Sequence, residues 1–252
     1  MTSLENIKSL REKTGASLQA CKKAIDECNG DIDLAIEHLR KVGEAKAAKR
    51  SDRDTTEGVV SSAVEGKNAV IIHIGCETDF VAKNPDFVTA ADELTKKYLA
   101  EGKDYDSTEY LNELGLRMGE KVQISNIQFL EGNTIGNYVH SNRKLGSIVV
   151  LESGDEAMAR DIAMHISAMN PLVTSPDEID DNVVSKEREI WEEQLKEQGK
   201  PAEIMGKILE GKEKKFREEN ALLKQAFVKN PDQKIEQLLN GIKITEFVRL
   251  GE

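Results

Sequence analysis

The apolar residues of this chain change their spacing at Gly58, and the arrangement that follows is then repeated. Before Gly58 they recur every three or four positions, as in helices that bury one face: Leu4, Ile7, Leu10, then Leu18, Cys21, Ile25, then Ile32, Ala35, Ile36, Leu39. Local punctuation agrees. Thr2 with Glu5 reads as a capping box, Thr14-Gly15 and Asn29-Gly30 as helix stops, and Asp31 as the cap of the third helix. The spacing predicts a three-helix bundle over 2–43. A bundle of about 45 residues is near the lower limit of what an unaided core stabilises, so it suits a binding appendage, or a folding cap, better than a catalytic domain. The next stretch, GEAKAAKRSDRDTTEG, holds almost no large apolar residue and reads as a linker or exposed helix, with a first boundary near residue 54.

From Gly58 the pattern is that of strands: GVVSSAV, a turn at 65–68, then AVIIHIG, together a β-hairpin. Asn84-Pro85 opens a helix whose inward face is Phe87, Ala91, Leu94 and Tyr98. A second helical stretch covers 110–118, and KVQISNIQFL reads as a strand. The order then recurs with TIGNYVH, a turn near Asn142-Arg143, the strand GSIVVLES, a helix over 155–169 with Ile162, Ile166 and Met169 inward, and a late strand IKITEFVRL. Two related strand-strand-helix-strand units predict an α+β core with mostly antiparallel strands. Inside the second copy, about residues 175–230, lies a Glu- and Lys-rich segment. Its Ile190, Trp191 and Leu195 precede Gly199-Lys200-Pro201, and Ile204, Ile208, Leu209 and Phe216 follow, which predicts a projecting antiparallel helical hairpin. Such an arm suits contact with another protein or serves as a solvated structural element. The expected domains are 1–54, 55–132 and 133–252.

Composition narrows the function. Lys and Arg total 35 against 46 acidic residues, a formal charge of -11, so phosphate backbones are repelled unless the basic residues gather on one face, and nucleic acid is not expected as a direct partner. No apolar run approaches the ~20 residues that cross a bilayer, and the start lacks a signal-peptide core, so the expected location is cytoplasmic and off the membrane. Cys21, Cys28 and Cys76 form an odd set without CxxC spacing and read as reduced core residues. His38, His73, His140 and His165 show no metal-ligand spacing, so neither a metal nor another cofactor is expected.

No enzyme emerges from the motifs. Gly206, Gly211 and Lys212 fit most of a phosphate loop, but Glu213 stands where the magnesium-binding Ser or Thr belongs, and the surroundings are charged and helical. No GxSxG elbow is present. The segment that stands out is Cys76-Glu77-Thr78-Asp79-Phe80-Val81-Ala82-Lys83, an acid and a large aromatic side by side between a strand and a helix, where binding groups are commonly displayed. The same residues also admit a structural reading, with Phe80 as the first core residue of the helix and Thr78 or Asp79 as its cap.

At this segment the chain resembles the elongation factor Ts family, whose contact loop TDFVAKNPDF is similar to. LREKTGASLQACKKAI resembles the family's ubiquitin-associated-like N-terminal bundle. YVH with LGSIVV, and QAFVKNPDQKIEQLL with the final strand, resemble the second half of its core, so the similarity runs the length of the chain. The resemblance implies a UBA-like bundle, a duplicated antiparallel α+β core and an inserted coiled-coil hairpin. It also implies a non-enzymatic guanine nucleotide exchange factor that binds elongation factor Tu, GDP-bound and nucleotide-free, and disturbs its magnesium and phosphate region. The contact loop maps onto Thr78, Asp79, Phe80 and Val81, with Asp79 and Phe80 as the wedge. Arg11 and Leu18 map onto the bundle's contact surface, with Gln19 where some relatives carry an apolar residue, and His140 onto the second core contact. The hairpin could pair with a second copy as a homodimer, with the GTPase, or with neither. A general interaction adaptor without effect on nucleotide release is the alternative function.

Overall fold

The computed structural model describes residues 4–251, so the expected Thr2 cap lies outside the described residues. The described chain divides into two compact units: residues up to Phe129 with 140–145 and 250–251, and residues 130–139 with 146–249.

The first unit begins with three helices, α1 (Leu4–Thr14), α2 (Leu18–Glu27) and α3 (Ile32–Lys49). The two predicted stops and the Asp31 cap are present, and Ser17, not expected from the sequence, caps α2 by accepting from the Ala20 amide. Gly15 and the Asn29-Gly30 pair take positive φ, and Asp31 accepts hydrogen bonds from the amides of Asp33 and Leu34. Ile7, Leu10, Cys21, Ile25, Ala35 and Leu39 form the bundle's own core. Two members of the apolar sets face outward instead: Leu4 and Leu18 start their helices, one turn beyond that core, and are 74% and 55% exposed. Cys21 and Cys76 are buried and Cys28 is half-buried at the cap of α2; all three are free thiols. The first half of the stretch expected as linker or exposed helix is helical, because α3 runs on to Lys49 and buries Gly43.

Strands β1 (Glu57–Glu65) and β2 (Asn68–Cys76) form the antiparallel hairpin, with Glu65 opposite Asn68 across the turn. A helical turn α4 (Asp79–Ala82) follows, then α5 (Pro85–Glu101), α6 (Thr108–Met118) and β3 (Gln123–Glu131). The sheet order is β1-β2-β3. Asn84 caps α5 through a bond from the Asp86 amide, and Phe87, Ala91, Leu94 and Tyr98 are buried against Val59, Val70, Ile72 and Ile74. Burying a side chain the size of Phe87 stabilises the fold by about 2 kcal/mol.

The second unit repeats the plan with β4 (Thr134–Val139), β5 (Leu145–Leu151), helix α7 (Glu156–Met169), the helices α8 (Asp181–Glu197) and α9 (Ala202–Asn220), a small hairpin β6 (Ala226–Phe227) and β7 (Asn230–Lys234), helix α10 (Ile235–Leu239) and β8 (Ile244–Gly251). β4 and β5 are antiparallel, and the sheet order is β4-β5-β8. The fold is α+β with a repeated strand-strand-helix-strand unit. Ala159, Ile162, Ala163 and Ile166 form the buried stripe of α7. Met169, expected inward, is 46% exposed, because it is the last helical residue before Asn170 turns left-handed and the core has ended there.

The charged segment forms the expected hairpin. Gly199 turns it at φ +66°, Leu195 and Leu209 are buried, and the rings of Trp191 and Phe216 meet edge to face at 5.7 Å. Gly206, Gly211 and Lys212 lie inside α9, away from any strand-to-helix loop. The β6-β7 pair and α10 were not foreseen, because a two-residue β6 and a proline-containing β7 show no alternation to read.

His165 is fully buried in this unit. Its Nδ1 accepts from the Val228 amide at 3.2 Å, so Nε2 carries the proton and donates to Gln225 Oε1 at 3.0 Å. Burial holds its pKa below the ordinary 6.5. The unfolded chain therefore takes up a proton below about pH 6.5 that folded His165 refuses, and stability falls as pH is lowered through that window. Urea midpoints measured at about pH 7 and pH 5 will fall more steeply for the native chain than for His165→Gln, which has no imidazole to protonate on unfolding.

Candidate functional site

The segment from Cys76 to Lys83 leaves β2 at a buried cysteine and enters α4 within three residues. Thr78 is extended, with φ -128° and ψ 154°, and its hydroxyl accepts from the Val81 amide as the N-cap of α4. Val81 and Ala82 then point into the core, each 8% exposed. Since α4 holds only four residues, turning Val81 and Ala82 inward turns Phe80 out. Phe80 is 82% exposed, so it is not the first core residue of the helix. Thr78 does cap the turn, so that half of the structural reading holds.

Asp79 forms an i,i+4 ion pair with Lys83 at 2.6 Å, and that hydrogen bond holds its carboxyl below the usual range. Burial and the nearby Glu120 charge push the Cys76 thiol up to about 12, so it is neutral at physiological pH and no nucleophile. Beneath the turn, two carboxylates cross-connect the segment with the end of α6. Glu120 accepts from the amides of Glu77 and Thr78, at 2.9 and 3.0 Å, and from the Thr78 hydroxyl at 2.5 Å. Glu77 in turn accepts from the Lys121 amide at 2.6 Å and from Arg53 at 3.1 Å, and both interactions, the amide first, hold its carboxyl below the ordinary range.

A second loop lies on the same unit. Residues 140–145 pass along the free edge of β1, where the Val60 amide donates to the Arg143 carbonyl at 2.7 Å. The Arg143 guanidinium grips Asp92 of α5 with bonds of 2.7 and 2.9 Å, and Ser61 donates to the same carboxylate. His140 is half-buried, with Nδ1 2.8 Å from Asn142 Oδ1. Asp79, Lys83, Asn142, Arg143 and Lys144 border one open cleft. The structure thus brings the Phe80 turn and the loop after His140 to one surface. Arg11 and Leu18 stand elsewhere, exposed on the bundle, which has a separate core.

The cleft beside Asp79 and Arg143 measures about 560 Å³ and lies open to solvent. The cavity between α3 and α6 holds 30 Å³, room for about one water and far below the ~300 Å³ of a ligand site. Among the described residues no group of three or more His, Cys, Asp or Glu could hold a metal ion, and no helix is long and apolar enough to cross a membrane. What the unit does offer is an aromatic side chain held out in water, the kind of group that anchors protein interfaces.

Comparison with known proteins is decisive about kinship. The family model "Elongation factor TS" matches residues 77–251. Elongation factor Ts of Hydrogenovibrio crunogenus is 42% identical across 97% of this chain and 89% of its own length. The chain belongs to the elongation factor Ts family. The same factor from Francisella tularensis subsp. novicida is 40% identical and that from Marinobacter nauticus 41%, each across 97% of this chain. Elongation factor Ts membership implies a nucleotide exchange factor for elongation factor Tu in translation, not an enzyme acting on covalent bonds. The match to the family model begins at Glu77, the first residue after β2. Glu77 falls in the segment that stands out in the sequence, but its partner Arg53 and the Glu120 beneath the turn do not. They lie up to 67 positions apart, and no local pattern marks a long-range clamp.

Proposed function

We propose that this chain docks on elongation factor Tu, in its GDP-bound and nucleotide-free states, and uses Phe80 as a wedge that disturbs the magnesium and phosphate region so that GDP leaves. Phe80, projecting from a turn whose neighbours are anchored in the core, is the observation that carries the reading. Magnesium requires near-octahedral oxygen geometry and bridges phosphate to protein, so a small displacement of its ligating segment loosens ion and nucleotide together. Asp79 acts beside Phe80 electrostatically or by hydrogen bonding, Thr78 sets the turn, and Val81 serves the loop as its inward anchor. Arg11 and Leu18 on the bundle and His140 on the second loop supply further contacts.

One wedge does not suffice. A nanomolar nucleotide is held by about 12 kcal/mol, and several contacts together must offset a substantial part of that. Coupling is reciprocal, so bound nucleotide weakens the factor's hold, and GDP or GTP drives it off. In this reading residues 1–54 are the UBA-like docking bundle and linker, 55–132 the subdomain that carries the wedge, and 133–252 the second subdomain with its helical arm. The protein works in the cytoplasm, without direct contact to nucleic acid or membrane. The exposed Ile190 and Ile204 of the arm offer a surface for homodimerisation. The test is release of a fluorescent GDP from elongation factor Tu with and without this chain. Acceleration supports the reading, whereas binding without acceleration leaves only an adaptor.

A further inference from the structure

We propose that Glu120 is a positioning residue for exchange: its carboxylate sets the Phe80 turn in its working geometry before the partner arrives. The inference rests on the reading of Phe80 as the wedge. Phe80 cannot hold itself in place, since its ring is 82% exposed and α4 has only four residues, too few for a helix to persist unaided. Its direction is inherited from residues 77 and 78, whose consecutive amides both point at Glu120 Oε2 while the Thr78 hydroxyl takes Oε1.

Glu120 is itself fixed. It follows Gly119, which ends α6 at φ +81°, and the Arg50 guanidinium bonds the carbonyls of Gly115 and Glu120 at 3.0 and 3.2 Å. The next amide, Lys121, returns a bond to Glu77, and the Lys121 ammonium holds the carbonyls of Ser51 and Arg53. These bonds form a closed ring: residue 120 grips the backbone of 77 and 78, and residue 77 grips the backbone of 121. Without Glu120, two amides and a hydroxyl exchange one fixed partner for water, and the turn samples orientations in which the ring misses its target. Effective wedge strength falls with the fraction of molecules correctly set.

The experiment is a double-mutant cycle on GDP release from elongation factor Tu, using the full chain with Glu120→Ala, Glu120→Gln, Phe80→Ala and the double variant Glu120→Ala/Phe80→Ala. Glu120→Ala is expected to lower the maximal release rate about tenfold, as a tenfold drop in the competent fraction would. The half-saturating concentration should stay nearly unchanged, since the bundle is untouched. Glu120→Gln should restore the rate to within about twofold, because one amide oxygen still accepts both backbone N–H groups and its NH2 reaches the Thr78 hydroxyl. In the Phe80→Ala background the added effect of Glu120→Ala should be under about twofold, the signature of action through Phe80. A tenfold effect that persists without Phe80, or no effect at all, overturns the inference and leaves the wedge standing. A Phe80→Ala variant as active as the native chain removes the wedge itself. If Glu120→Ala does not fold, Glu120→Asp, one methylene short of the amides, replaces it in the cycle with the same outcomes.

Discussion

Phe80→Ala lowers the maximal rate of GDP release from elongation factor Tu about thirtyfold, while the melting temperature of the free chain stays where it was. The two halves of this expectation have separate grounds. The ring is 82% exposed and the core beneath it is made by Val81, Ala82 and Cys76, so truncation opens no cavity and costs no folding stability. On a partner, burying the ring is worth about 2 kcal/mol, which is about thirtyfold in rate if the burial occurs only as the nucleotide site opens. Phe80→Leu, apolar but smaller, should fall between. If burial were equal before and after opening, the half-saturating concentration would rise instead and the maximal rate would hold. An unchanged rate together with unchanged affinity would sink the wedge and return Phe80 to the ordinary surface.

The helical and strand elements were largely legible because each rests on local signals that the folded chain obeys. Asp31 and Asn84 cap the helices expected of them, and Glu65 meets Asn68 across the expected turn. The errors fall where a local pattern outlasts its partner. Leu4, Leu18 and Met169 continue apolar stripes past the end of a core, and a periodicity argument cannot tell where the opposing surface stops. Phe80 was ambiguous for a related reason: in a turn of four residues, one position decides whether an aromatic packs or projects, and Val81 and Ala82 took the inward places. The Glu77-Glu120 ring was invisible because it joins residues 43 apart, and nothing in GEK at 119–121 marks it as different from the many other acidic surface segments.

Gly136 carries the last and most severe expectation. In β4 it faces α7 so closely that a Cβ would sit 2.1 Å from the carbonyl carbon of Ala159, 2.2 Å from its oxygen and 2.5 Å from the Arg160 nitrogen. All three are backbone atoms, so no side chain can swing aside; the helix must lift from the sheet. Lifting it uncovers Ile162 and Ile166, both fully buried, and loosens the packing that holds this unit together. Overpacking of this kind costs about 3 kcal/mol, at the upper end for an inserted methyl. Gly136→Ala should therefore lower the urea midpoint of the second unit strongly, read by the fluorescence of Trp191, the chain's single tryptophan. Gly206→Ala supplies the opposite control. Its Cβ would meet nothing within 4 Å, and it lies inside helix α9, so the same substitution should stabilise the arm by about 0.5 to 1 kcal/mol through the lower entropy of the unfolded chain. Equal shifts for the two variants would mean that the approach of α7 to β4 is not the constraint that the backbone distances make it.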